Sequence, residues 1–253
     1  MDPQYPQIAI SKEALSQLPI VEYHGEITVV DTIEDAQTAL EALEKEAIVG
    51  FDTETRPTFT KGRTHTVSLV QISTRERCYL IRLNRLGFFD ELRKFMENEN
   101  VRKIGLSLKD DFFVLHKISE FEPQGFIDLQ AFVRDYGITD SSLQKIFAVV
   151  FGQRISKAQR LSNWEATELS PAQQLYAAID AWACLKLYDE LTEGRFDPFK
   201  SEYIVIPEPE ITEEEKTEVP APKPEKKEAA APEKKTKMRR KRTTAKTSKK
   251  EKE

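Results

Sequence analysis

Residues 47–54 read AIVGFDTE. Five small or apolar residues, Ala47 to Phe51, run into two carboxylates spaced two apart. A short apolar run of this kind is a strand buried inside a sheet. Side chains alternate along a strand, so Asp52 and Glu54 share one face. A carboxylate pair at the end of a buried strand, opening on a cleft, is costly unless cations offset it. The pair also reads as two charges at an exposed strand end.

Two further stretches carry the same chemistry. Residues 103–115, KIGLSLKDDFFVL, place Asp110 and Asp111 at the opening of a helix after a strand. The helix dipole favours acids in a first turn, which explains one of the two and leaves the other. Residues 174–182, QLYAAIDAW, hold Tyr176 and Asp180 at i and i+4 of a long helix, about 5–6 Å apart on one face. That pair also reads as a surface acid beside an inward-packing tyrosine. If they converge, Asp52, Glu54, Asp111, Tyr176 and Asp180 make a site for two hard divalent cations and a positioned water. Such a site hydrolyses phosphodiesters.

The surrounding segments predict a mixed sheet covered by helices. Residues 26–46 read as a strand and then a helix capped by Thr32, with Asp35 three residues on. TVSLVQIST (66–74) alternates polar and apolar residues, as a half-exposed strand does. RCYLIRL (77–83) is a strand, and the polar residues 73–77 suit a hairpin loop. Helices are expected over 88–100, after Asp110, over 141–152 ending at Gly152, and over 169–191. In the last of these Ser170, Pro171 and Gln173 form a capping box. Residues 125–137 begin extended and become helical. The sequence places Trp164 in the core, and reads Phe59, Phe112 and Phe113 as core residues with base stacking as the alternative. His24, His65 and His116 have no metal-ligand spacing and are read as structural or surface residues.

The composition has 39% apolar and 32% charged residues, and the charge excess is local. Residues 207–253 hold 15 Lys/Arg against 11 Glu. The whole chain is −5 and this tail is +4, which leaves −9 on residues 1–206. The tail has almost no large apolar residue and is expected to be disordered, first acidic and Pro-rich, then basic. The folded part is expected to run from about Tyr5 to about Ile206, divided into an N-terminal extension over 1–24 and the main domain over 25–206, with a tail over 207–253. The two cysteines, Cys78 and Cys184, are too few for a disulfide framework. No apolar run approaches the ~18 residues of a membrane span, and the N-terminus has no basic leader or apolar core. A cytoplasmic protein is the default expectation, with the oligomeric state open.

Together the three motifs resemble the DEDD superfamily of 3′–5′ exonucleases, in its tyrosine branch with ribonuclease D, the proofreading domain of family A polymerases and the Werner exonuclease. VGFDTE, VSLVQIS and LSNWEATELSPAQQLYAAIDAWACLKLY carry the likeness over roughly residues 25–195. The tail leaves no stretch for the accessory helical domains of ribonuclease D, so the nearer likeness is to Werner-like exonucleases. The resemblance implies an α/β, ribonuclease H-like fold, a mixed β-sheet of about five strands flanked by helices. It implies a 3′–5′ exonuclease in which Asp52, Glu54, Asp111 and Asp180 hold two divalent cations, Mg2+ or Mn2+, and Tyr176 orients the attacking water. Asp111 is preferred to Asp110 because it lies eight residues after Lys103 and four before Leu115, as in the family's segment. GLSLKD departs there from the family's small and polar residues. The implied partner is a nucleic-acid 3′ end, DNA or RNA. Lys157 and Arg160, and the tail residues Arg239, Arg240, Lys241 and Arg242, are candidate phosphate contacts. A non-catalytic nucleic-acid-binding protein on the same fold is the alternative, and loss of one ligand would favour it. All five positions carry the required residue types.

Overall fold

The computed structural model describes residues 5–60, 62 and 64–206. Six strands form one sheet: β1 (Glu26–Val30), β2 (Ile48–Thr55), β3 (Val67–Ser73), β4 (Arg77–Ile81), β5 (Arg102–Gly105) and β6 (Phe126–Asp128). Their order is β1-β4-β3-β2-β5-β6. β2, β3 and β4 are antiparallel neighbours, whereas β1 runs parallel to β4 on one side and β5 and β6 run parallel on the other. The sheet thus has one strand more than expected, the three-residue β6 at the extended start of residues 125–137.

The helices are α1 (Lys12–Gln17), α2 (Ile33–Leu43), α3 (Leu83–Leu86), α4 (Asp90–Met96), α5 (Leu108–Leu115), α6 (Leu129–Phe132), α7 (Leu143–Phe151) and α8 (Pro171–Thr192). Thr32 caps α2, accepting from the Asp35 N–H. Gly152 ends α7 in the left-handed region. The α8 capping box is present in full, Ser170 and Gln173 exchanging hydrogen bonds of 3.2 and 3.0 Å. Such a cap contributes about 1 kcal/mol. It also fixes where α8 starts, and therefore which residues it turns toward the sheet.

The alternating β3 is not half-exposed. All seven of its residues are buried, the polar Ser68, Gln71 and Ser73 included. β3 lies in the middle of the sheet with both faces covered, and the hydroxyls turn back on the local backbone, as Ser73 does on Thr74 O at 2.8 Å. Residues 5–24, the extension at the start of the expected folded part, supply buried Ile8, Ile10, Leu15 and Val21 to the core cluster that contains α7 and one side of α8. Ile8 bridges to both Ile138 and Ile204. Trp164 is buried as expected, but Phe59 and Phe113 are 84% and 66% exposed. Phe59 sits on the loop between β2 and β3. Phe113 lies on the outer side of α5 under the Lys117 ammonium, 4.2 Å from the ring centre. No helix among the described residues is long and apolar enough to cross a membrane.

Candidate active site

β2 and α8 build the centre of the site. Gly50 permits their close approach: a β-carbon there would lie 1.9 Å from the Ala181 carbonyl oxygen. Two residues on, Asp52 faces the same side of the sheet, and Asp180 precedes Ala181 on the helix. Side-chain oxygens of Asp52, Glu54 and Asp180 accordingly lie within 4.8 Å of one another. Asp52, Tyr176, Asp180 and Lys157 line a cavity of about 140 Å³, with Leu106 and Ile155 among its apolar walls.

Asp111 approaches from α5. The chain leaves β5 through Ser107, whose φ of 63° is the left-handed region, unusual for a residue other than glycine. The cap of α5 comes from Asp128, whose carboxylate accepts from the Ser107 and Leu108 N–H groups at 3.0 Å each. The helix therefore needs neither Asp110 nor Asp111 as a cap. Asp110 is exposed, while Asp111 is half-buried and accepts a hydrogen bond from the Thr53 hydroxyl, between Asp52 and Glu54. Asp111 is not in the tight group of three, but it adds to the charge felt by Asp52 and Glu54.

The electrostatics are those of a crowded, partly dry anionic site. Burial, then the charges of Asp111, Asp180 and Glu54, holds the Asp52 carboxyl well above the usual carboxylate range. Burial with Asp180 and Asp111 pushes Glu54 up to about 9, against the pull of Arg160. Burial raises Asp180 to about 7, opposed by the Tyr176 phenol and the Lys157 charge. Burial raises Asp111 to about 6, opposed by the Thr53 hydroxyl. The Tyr176 phenol is itself raised, chiefly by burial and then by Asp180, and so stays a donor. This donor set is oxygen only. Four acids that cannot all ionise together unaided fit hard divalent cations of the Mg2+ and Mn2+ class.

Lys157 and Arg160 lie on the loop before α8, close enough to lower Asp180 and Glu54 respectively. Arg239, Arg240, Lys241 and Arg242 lie outside the described residues. His24 is exposed, and His116 bonds the Phe121 carbonyl oxygen at 3.0 Å. His65 has a more definite part than the sequence suggested. Its Nδ1 lies 2.8 Å from the Glu165 carboxylate, which also accepts from Arg56 at 3.0 Å. This trio ties the β2–β3 loop to the loop carrying Trp164, whose ring lies 6.0 Å from that of Tyr176. Arg82, almost fully buried, donates to the Thr167 and Ala166 carbonyl oxygens and anchors the same loop. Separations of 84 to 109 residues leave no local signal for the Glu165 and Arg82 contacts.

Known proteins share both the sequence pattern and the architecture. A family profile described as 3′–5′ exonuclease matches residues 27–194. The bifunctional 3′–5′ exonuclease/ATP-dependent helicase WRN of Mus musculus is 28% identical over 184 residues, 69% of this chain and 13% of that protein. Ribonuclease D of Gluconacetobacter diazotrophicus is 28% identical over 189 residues, 71% of this chain and 47% of that one. This chain thus spans less than half the length of either curated relative. Among solved structures, the Nibbler EXO domain of Aedes aegypti aligns with a TM-score of 0.59 at 24% identity, over 72% of this chain and 95% of that domain. Trypanosoma brucei RNase D in complex with RNA U12 aligns with a TM-score of 0.58 at 21% identity, over 70% of this chain and 63% of that one. The six-stranded mixed sheet is the ribonuclease H-like fold of these exonucleases. With a matching profile over two thirds of its length and the family's architecture, the chain belongs to the 3′–5′ exonuclease family.

Proposed function

We propose that the protein hydrolyses phosphodiester bonds from the 3′ end of a nucleic acid, releasing nucleoside 5′-monophosphates, with two divalent cations as cofactors. The observation that carries this reading is the convergence of Asp52, Glu54 and Asp180, whose side-chain oxygens lie within 4.8 Å of one another, beside the cavity that Asp52 and Asp180 line with Tyr176. Asp52, Glu54 and Asp180 hold the cations, with Asp111 completing the acidic set from α5. A bound pair of such cations supplies a water activated for attack and charge stabilisation at the departing 3′ oxygen.

The chain's own residues do the rest. Tyr176 keeps its proton because its phenol is buried beside acids, so it orients the attacking water by hydrogen bonding and does not remove its proton. Lys157 and Arg160 bring positive charge to the rim of an acidic cavity and meet the substrate's phosphates there. Thr53 steadies Asp111, and the Glu165 trio and Arg82 hold the loop that packs Trp164 against Tyr176. A nucleic-acid substrate accords with the RNA named in the trypanosomal RNase D complex. Discrimination between DNA and RNA rests on contacts with the 2′-OH.

The test is a degradation time course on 3′- and 5′-labelled DNA and RNA, with Mg2+, with Mn2+ and with EDTA. Early release of the 3′ label as mononucleotide, only with a divalent cation, is the expected result. Full activity in excess EDTA, or shortening from the 5′ end, overturns the reading.

A further inference from the structure

Gln71 is a polar side chain where little can satisfy it. It is fully buried on β3, and among the described residues neither its amide nitrogen nor its amide oxygen has a hydrogen-bond partner. Leaving a buried amide unpaired is costly at both atoms, and an apolar side chain of similar volume would avoid that cost. The sheet register says what the amide faces. Gln71 opposes Asp52 on β2 and Leu80 on β4. Residues opposed across antiparallel strands share a face, with β-carbons about 4.5–5.5 Å apart. This is the face under α8, because Gly50 touches Ala181 there. The helix covers it with Ala177, Ala178 and Ala181, packed with Leu69 and Leu80. Alanine offers no side-chain donor or acceptor. Ser73, the next residue on this face of β3, spends its hydroxyl on Thr74 O. The polar group directly across from Gln71 is the Asp52 carboxylate.

Resting on the reading of the acidic cluster as a cation site, we propose that Gln71 is a positioning residue for Asp52. Its Nε2 donates to the Asp52 carboxylate in the cation-loaded protein and fixes how that carboxylate is presented. The orientation of the amide follows from Trp164 in the same cluster, whose indole N–H is also buried and unpartnered among the described residues. An indole N–H only donates, so it suits the Oε1 end and leaves Nε2 for Asp52. Groups that orient a ligating carboxylate from behind set metal affinity as well as geometry.

The test is Mn2+ binding to the full chain, followed by calorimetry or electron paramagnetic resonance, for wild type and Gln71→Met. Methionine keeps the volume and removes the amide. The expected result is a dissociation constant raised about 10-fold or more, with kcat reduced while KM for an oligonucleotide is little changed. Equal Mn2+ affinity in the two folded proteins overturns the role of Gln71 and leaves the cation site standing. A wild type that binds no Mn2+ overturns both. Should Gln71→Met not fold, the wild-type protein still decides: titration with Mg2+ shifts the Gln71 side-chain amide resonances if Nε2 serves Asp52, and unmoved resonances overturn it.

Discussion

Val49 and Phe51 leave β2 on one side of the sheet and enter an apolar core with Val30, Leu40, Leu43 and Phe95. Their alternates Gly50, Asp52 and Glu54 leave on the other side and meet α8. The first face is the interior of an ordinary stable domain, where each buried ring or methyl adds to stability. The second holds three carboxylates within 4.8 Å, each shifted upward by burial, and Asp52 and Glu54 also by the acids beside them. A strand that is stabilising on one side and self-repelling on the other shows what is spent on the site: the apolar face supplies the stability that keeps the acids together.

Substitutions on each face separately should have opposite consequences for chemistry and for folding. Asp52→Ala and Asp180→Ala are each expected to lower kcat at least about 10³-fold, about 4 kcal/mol of transition-state stabilisation. The metal-free fold should be undiminished, because each removes a buried carboxyl that is costly to ionise among its neighbours. A marked fall in Tm for both, measured without metal, would show that the acids support the fold. Phe51→Ala works on the other face. It is expected to cost about 3–5 kcal/mol of unfolding free energy, read from urea denaturation. A loss under 1 kcal/mol would contradict the assignment of that face to the core.

The acidic face should also make stability depend on pH, with a definite sign. Asp111, Asp180 and Glu54 hold protons up to about 6, 7 and 9 in the fold, against ordinary values of 3.8, 3.8 and 4.5. The folded chain therefore binds protons more tightly than the unfolded chain. This contribution is full below the ordinary values and is lost as pH rises through the folded ones. Metal-free Tm is expected to fall between about pH 5 and pH 9, and less so in Glu54→Gln. Mg2+ or Mn2+ should restore it, most at the alkaline end, where fewer protons must be displaced. Scanning calorimetry at several pH values checks this, and a restoration independent of pH would refute it.

These two faces were unequally legible in the sequence. AIVGFDTE shows both at once, because strand alternation is strict and the acids follow an apolar run. The ends of α8 and α7 were equally plain, since Ser170, Pro171, Gln173 and Gly152 act locally. What was hidden depends on distant partners. β3 alternates like a surface strand yet is central, and only sheet order reveals that Ser68, Gln71 and Ser73 are covered on both sides. Lys103 is fully buried in β5 with its ammonium between the Phe95 and Phe126 rings, a place no charge pattern announces. Phe59 and Phe113 are large and apolar and still exposed, because residue type alone does not say which side of a helix or loop finds a cover. Ile8 enters the core only because residues 138 and 204 come to meet it.

Within the site, a smaller change separates chemistry from packing. Tyr176→Phe keeps the ring beside Trp164 and removes the hydroxyl. It is expected to slow single-turnover hydrolysis about 10-fold, the value of one hydrogen bond, with Mn2+ affinity unchanged. Wild-type single-turnover rates would remove Tyr176 from the positioning of water.

The smallest expected effect lies in the pair Asp110 and Asp111. They are adjacent, equally charged and both in the first turn of α5. The helix dipole treats them alike, so any difference between them must come from what each faces. Asp110 is exposed, and its carboxylate has no hydrogen-bond partner among the described residues. Asp111 accepts from the Thr53 hydroxyl and raises both Asp52 and Glu54. Asp110→Asn should therefore leave stability within about 0.5 kcal/mol of wild type, as for surface positions in general, and leave kcat nearly unchanged. Asp111→Asn keeps the shape and removes one of the charges available to cations, so kcat should fall steeply while the metal-free fold is preserved. Parallel measurement of kcat and Tm in the two variants decides the matter. If Asp110→Asn proved the more damaging, the acid that serves the site would be the one on the outer side of α5, and the Thr53 contact would be a structural tie alone.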